Sequence, residues 1–274
     1  MEPMNWKKIG STAVPSFDRR TYEQSRVDWL NSTPGNLTGM DCPKCRNRGY
    51  TARLREDLTL CIVPCDCQET RRSVQRMERS GLEKSIRDMT FDKFRAEEPW
   101  QRQLLEGARE YAREGSGWLL ICGQSGSGKT HLCTAVCRER LLRGEAVRYM
   151  AWREEAARLK AFSQEPQARE AALQELKQSQ VLYIDDLFKT GRGPDGAALP
   201  TAADINLAFE ILNHRYVSGL PTILSTEKLV RELTAIDEAT ASRILERCGR
   251  HVYAIARNQR RNHRFRSRST SRPV

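Results

Sequence analysis

The stretch Trp118-Leu-Leu-Ile-Cys-Gly-Gln-Ser-Gly-Ser-Gly-Lys129-Thr130 constrains this chain more than any other. Residues 118–122 are apolar and read as a short buried strand. Gly123 to Thr130 then matches GxxxxGK[ST], and helical spacing runs from Lys129 to Arg143 before Gly144 stops it. A glycine-rich turn between a buried strand and a helix is built to hold phosphate. Gly123, Gly126 and Gly128 let the loop backbone, with Gln124, Ser125 and Ser127, wrap an anion, and the helix aims its positive end at the same point. Lys129 is placed to reach the β- and γ-phosphates of ATP, and Thr130 to offer a hydroxyl to Mg²⁺. His131, next in line, completes the candidate nucleotide-binding set.

The flanking sequence has the texture such a loop needs. From Pro99, helical patterns alternate with short apolar runs: 118–122, VRYMAW, VLYID (181–185), PTILST (221–226) and HVYAIA (251–256). A polar helical region spans 154–179 and is broken near Pro166. A Gly/Pro-rich loop covers 188–201, and helices are expected over 202–218 and 238–248. Alternation of this kind calls for a mainly parallel sheet covered on both faces, so the expected class is α/β with three αβα layers.

A nucleotide loop needs an acidic partner at the end of a neighbouring buried strand. VLYIDD supplies two, Asp185 and Asp186. Asp185 is the candidate to hold Mg²⁺ through its shell, and Asp186 the candidate to orient or deprotonate the attacking water.

Phosphate loop, paired acids, a polar residue ending the next strand and an arginine in a Ser-Arg helix together resemble the AAA+ ATPases. More narrowly, they resemble the DnaC/DnaI/IstB group of helicase loaders and transposition helper ATPases. HRYVSGLPTILSTE (214–227) is similar to that group's segment leading into sensor 1, and ASRILERCG (241–249) to its arginine-finger helix. The resemblance implies that Ser225 or Thr226 is the sensor 1 group, bonding the nucleophilic water or the γ-phosphate. It implies that Arg243 acts in trans across a subunit boundary, and hence that the protein self-associates. The plain alternative for Arg243 is a helical i,i+3 pair with Glu246. Arg215 is a second, weaker basic candidate. Many AAA+ proteins carry Asn at sensor 1 and Glu as the second acid, where this chain has Ser-Thr-Glu and Asp-Asp.

Five of the nine cysteines lie between positions 42 and 67, in the pattern Cys42-Pro-Lys-Cys45 and Cys65-Asp-Cys67. Thiolate suits Zn²⁺, and CxxC puts two sulfurs on one tight turn. The CxC half is similar to the N-terminal zinc module of the loader group. Cys42, Cys45, Cys65 and Cys67 are therefore the expected ligands of a closed structural zinc site. Cys61 is the rival ligand, although Ile62 and Val63 after it favour a strand residue packing inward. Redox chemistry at CPKC is the other reading, and no βαβ pattern of the thioredoxin kind surrounds it. Cys122, Cys133, Cys137 and Cys248 read as buried core thiols.

The formal charge of +11 is concentrated at the end, where nine arginines follow Glu246 without an acidic residue. Such a tail attracts polyanions through counterion release. No run approaches the ~18 apolar residues of a membrane span, and the N-terminus lacks an apolar signal core, so a cytoplasmic protein without membrane contact is expected. The expected organisation is a polar, partly helical region over 1–40, with one helix at 18–30. A zinc module with a charged helix ending at Gly81 follows over 41–81, then a linker over 82–98, the ATPase domain over 99–256 and an Arg-rich tail over 257–274. The resemblance implies a DNA-replication ATPase that engages a replicative helicase and single-stranded DNA. A zinc-ribbon adaptor using ATP as a switch, and an IstB-like transposition helper, are the alternatives.

Overall fold

The computed structural model describes residues 18–38, 40–77, 83–162, 165–190, 199–258 and 261. The chain divides into two compact units, Met1–Gln68 and Glu69–Val274.

In the first unit a helix, α1 (Arg19–Ser32), precedes a hairpin of β1 (Tyr50–Leu54) and β2 (Leu60–Pro64). Asp18 starts α1 by accepting the backbone N–H groups of Arg20 and Thr21. Near the other end, Asn31 bonds both backbone groups of Ala52, donating to its O at 2.9 Å and accepting from its N at 2.8 Å. One amide side chain thus ties the helix to the edge of β1. The strands pair antiparallel, Tyr50 opposite Pro64 and Leu54 opposite Leu60. The turn is closed by Arg55 N–H on Thr59 O and by the left-handed Leu58.

The second unit is built on a five-stranded sheet in the order β4-β5-β6-β3-β7. Its strands are β3 (Trp118–Gly123), β4 (Val147–Ala151), β5 (Val181–Asp185), β6 (Thr222–Thr226) and β7 (Val252–Ile255), and every pair is parallel. The central strands are buried throughout, as a sheet covered on both faces demands. Alternate residues feed two separate cores. Trp118, Leu120, Leu182, Ile184 and Leu224 point to one, while Leu119, Ile121, Val181, Tyr183 and Ile223 point to the other.

The covering helices of this unit are α4 (Pro99–Glu114), α5 (Lys129–Leu142), α6 (Trp152–Ala161), α7 (Pro166–Gln178), α8 (Ala202–Val217) and α10 (Glu238–Cys248). Before the sheet come α2 (Cys67–Met77), which straddles the division between units, and α3 (Glu83–Asp88). The parallel sheet and its helices are the expected αβα arrangement. The strand read at Cys61 is β2, and three short elements are additions: its hairpin partner β1, α3, and α9 (Val230–Ile236). The six residues of α3 fall in the stretch expected to be a linker; Ile86 is buried, and Phe91 and Phe94 pack on the same core. A helix so short and charged has no periodicity to display, which is why the sequence reads as a linker there. Gly81, the expected stop of α2, and residues 191–198 of the Gly/Pro loop lie outside the described residues. Among the described residues no helix is long and apolar enough to cross a membrane.

Candidate nucleotide site and cysteine centre

Strand β3 runs between β6 and β7, and β5 lies on the far side of β6. The carboxyl ends of β3, β5 and β6 therefore stand abreast, where ligands of open parallel sheets are held. The phosphate loop leaves β3 at Gly123, whose φ is +114° and whose added Cβ would meet Ile255 O of β7 at 2.1 Å. Only glycine can make that exit. Gly128, at φ +92°, opens α5, and a Cβ there would meet the Phe94 ring at 2.7 Å. Lys129 is buried and donates to Gly123 O at 2.9 Å and Gln124 O at 2.8 Å. Ser127 Oγ also donates to Gln124 O, at 2.7 Å. Burial pushes the Lys129 ammonium pKa down, against the pull of the Asp186 and Glu227 carboxylates.

Thr130 donates its hydroxyl to Asp185 Oδ1 at 3.1 Å. That direction leaves the threonine lone pairs for a metal and keeps Asp185 beside it, so the two residues fit a Mg²⁺ shared with a nucleotide phosphate. Asp185 is held by three further hydroxyls: Tyr183 at 2.7 Å, Tyr149 at 3.3 Å and Ser225. Tyr183 precedes Asp185 by two on the same strand, and Tyr149 is its register partner on β4. Both phenols therefore lie on the same face as the acid. Burial, reinforced by the Asp185 charge, raises both phenol pKa values, so they stay protonated donors.

Asp186 leaves the strand in the left-handed region, φ 57°, and its N–H donates to Ser225 Oγ at 2.9 Å. Burial raises its carboxyl pKa, against the Lys189 ion pair. Lys189 Nζ lies 2.7 Å from Asp186 Oδ2 and 3.1 Å from Glu227 Oε1. Of the two sensor candidates, Ser225 reaches the acids. Thr226 is turned to the backbone, donating to Leu187 O at 2.7 Å and accepting from Lys228 N at 3.1 Å.

His131 is spent on the segment before α4, with Nε2 2.8 Å from Thr90 O and its ring edge-on to Phe94. Gln124 Oε1 accepts from Asn258 N at 2.5 Å. Residues 90–94 thus lie against the loop, a neighbour the sequence reading treated as linker. Phe91 and Phe94 were its only visible signal.

Arg243 lies on α10 and points at α8: Nε donates to Asn213 Oδ1 at 3.0 Å, Nη1 to Ala239 O at 2.7 Å, and the guanidinium stacks on Phe209 and Tyr216. The helical pair with Glu246 is not its arrangement; Glu246 instead accepts the Tyr216 hydroxyl. Arg215, the weaker basic candidate, is a structural residue. It is fully buried and donates to Thr222 Oγ1, to Ser179 Oγ and to the carbonyls of Leu176, Lys177, Ser179 and Pro221. Within the Arg-rich tail, Arg257 pairs with Glu232 at 2.8 Å and Arg261 stacks on Trp100; residues 259–260 and 262–274 lie outside the described residues.

The hairpin explains the cysteine centre. It returns the chain so that Cys65 N–H bonds Gly49 O at 2.8 Å, bringing the residues before β1 against those after β2. The four sulfurs of Cys42, Cys45, Cys65 and Cys67 lie within 4.8 Å of one another, with Cys45 and Cys67 3.4 Å apart and Cys42 and Cys65 3.8 Å apart. Ligands ~2.3 Å from a tetrahedral zinc stand about 3.8 Å from each other, so the cage has zinc dimensions. Its first turn is ordered by Asn47, which accepts Cys42 N–H at 2.9 Å and donates to Asp41 at 3.0 Å. Burial raises the Cys45 thiol pKa, but the Gly49 N–H and the neighbouring sulfurs outweigh it and bring the value down to about 6. Cys61 sits on β2 outside the cage, half-buried, its sulfur 3.6 Å from Arg55 Nη2.

Residues 65–271, most of the chain, match the IstB-like ATP binding protein family. The chain belongs to that family. Among relatives of the IstB-like member described here, the phage-like element PBSX protein XkdC of Bacillus subtilis is 32% identical over 228 residues, 78% of this chain and 82% of XkdC. The replicative helicase loader DnaC of Escherichia coli K12 is 27% identical over 162 residues, 58% of this chain and 63% of DnaC. The chain thus spans less than two thirds of that loader. A crystal structure of DnaI shares the fold at 21% identity and a TM-score of 0.51, covering 64% of this chain and 93% of that one.

Proposed function

We propose that this IstB-like protein hydrolyses ATP and works as a helicase loader, using the ATP state to change its grip on a replicative helicase and on single-stranded DNA. The observation that carries the reading is the contact of Thr130 with Asp185, beside an Asp186 fixed in place by Ser225. Thr130 and Asp185 hold Mg²⁺, which neutralises phosphate charge when bound. Lys129 and the loop N–H groups of 123–130 seat the triphosphate. Ser225 accepts the Asp186 backbone N–H, and burial of the Asp186 carboxyl makes it a stronger base for the attacking water. Arg243, half-buried between α10 and α8 on Phe209 and Tyr216, serves a neighbouring subunit. Cys42, Cys45, Cys65 and Cys67 hold a structural Zn²⁺. Trp29 and Tyr22, 67% and 49% exposed on α1, give that unit an aromatic face for the helicase. The Arg-rich tail contributes phosphate-backbone contacts.

The test is ATP turnover by the purified chain with and without single-stranded DNA, for wild type and Lys129→Ala. DNA-stimulated turnover that the alanine abolishes is the expected result. ATP binding without turnover, with DNA and with a partner helicase both present, would replace this reading with a non-hydrolysing adaptor.

A further inference from the structure

Two charged groups at the nucleotide site, Glu227 and Lys189, are not used by the chemistry above. Glu227, immediately after β6, pairs with Lys189 on one side, and on the other the Ser125 hydroxyl of the phosphate loop helps to lower its carboxyl pKa. Lys189 continues the chain to Asp186. Ser125, Glu227, Lys189 and Asp186 therefore form a continuous polar row from the phosphate loop to the second acid.

Lys189 is held there by its backbone, unlike an ordinary surface lysine. Asp186 and Phe188 both have positive φ, 57° and 61°, and the reversal they produce brings Lys189 N–H onto Asp186 O at 2.8 Å. The turn is anchored by Leu187, whose N–H bonds Ser225 O at 2.8 Å, and by Phe188, which is buried edge-on against Trp152. Two non-glycine residues in the left-handed region cost free energy that the surrounding packing must supply. What the turn achieves is the position of one ammonium group, about a third exposed, above the strand ends.

Charge decides what that ammonium can do. A triphosphate seated by Lys129 brings several negative charges toward Asp185, Asp186 and Glu227. Those carboxylates repel it, and Lys129 is the cation that the loop itself supplies. Lys189 adds a further compensating charge, and it already bridges two acceptors, so it can exchange one of them for a phosphate oxygen while keeping the other.

We propose that Lys189 is a second phosphate-binding lysine, which contacts the γ-phosphate in cis and makes the site distinguish ATP from ADP. Glu227 holds the lysine in reach, and Asp186 is freed for water as the lysine turns to the phosphate. The proposal rests on the nucleotide-site reading above.

The experiment is equilibrium binding of a non-hydrolysable ATP analogue and of ADP, each with Mg²⁺, to the full chain. Lys189→Met should weaken the triphosphate about tenfold or more and leave ADP within about twofold, as expected for the loss of one charge-assisted bond. Lys189→Arg should restore the preference. Equal loss for both nucleotides in Lys189→Met, or no loss for either, would overturn the role of Lys189. Lys189→Gln carries the same comparison if the methionine variant does not fold. Wild-type affinity for both nucleotides in Lys129→Ala would instead overturn the nucleotide-site reading itself, which keeps the two failures apart.

Discussion

The interior of the 69–274 unit is apolar on both faces of its sheet, with Leu120, Leu182, Ile184 and Leu224 on one side and Leu119, Ile121, Leu132 and Ile223 on the other. The interior of the 1–68 unit is largely sulfur: Cys45, Cys65 and Cys67 are buried together, with Met40 and Cys42 packed on them, while Val27 and Ala52 add little apolar area. Small domains cannot bury enough surface to offset chain entropy and need a cross-link or a metal. The large unit draws stability from burial and can accommodate strained residues such as Asp186 and Phe188 at its site. On the proposed zinc reading the small unit draws it from the cage, and its hairpin brings the four sulfurs together.

The sharpest way to break this comparison is metal removal. A strong chelator should unfold the hairpin, because structural zinc contributes roughly 10–16 kcal/mol in comparable small modules. Hydrogen exchange should show β1 and β2 losing protection while β3, β5 and β6 keep theirs; equal loss in both units would erase the distinction.

The mirror experiment is Leu120→Ala. It empties part of a dry core and should cost about 3–5 kcal/mol, lowering the main thermal transition without releasing zinc. Zinc release at the same temperature as wild type is the expected readout.

Arg215→Met sharpens the comparison inside the large unit, where a guanidinium is fully buried in the interior. It removes a donor from the carbonyls of Leu176, Lys177, Ser179 and Pro221, of which Leu176 O keeps the Ser179 hydroxyl and Pro221 O keeps Leu182 N–H, and should cost about 3 kcal/mol in denaturant melts. A neutral result would mean that the guanidinium only fills space.

The smallest effect belongs to the small unit. Asn31→Ala removes the two bonds to Ala52 and should cost about 1 kcal/mol. Exchange should increase at the Ala52 amide first, with the sulfur cage intact.

Much of the large unit was legible because its signals are local. A buried strand, a glycine loop and a helix follow one another within residues 118–143, and alternating apolar runs repeat the pattern. The same locality exposed Cys42, Cys45, Cys65 and Cys67 as one set. It failed where an element is too short to show a period, as in α3 and α9. It failed again where one side chain had two chemical readings, as for Arg215: a basic residue on a helix looks the same whether it meets a phosphate or six acceptors of its own fold.

What the sequence determined by itself is therefore the chemistry available: a phosphate loop with its lysine and threonine, two acids at a strand end and four thiolates in two pairs. The tertiary structure decided which groups meet. Parallel register places Tyr149 beside Tyr183 and both phenols on Asp185, and strand order sets β6 between the loop strand and the acid strand. That order puts Ser225 on both acids and Glu227 between Ser125 and Lys189. Residues 34 positions apart, Tyr149 and Tyr183, and 104 apart, Trp118 and Thr222, become neighbours through sheet pairing alone. No local pattern records such a pairing, because its free energy arises from the burial of the whole sheet.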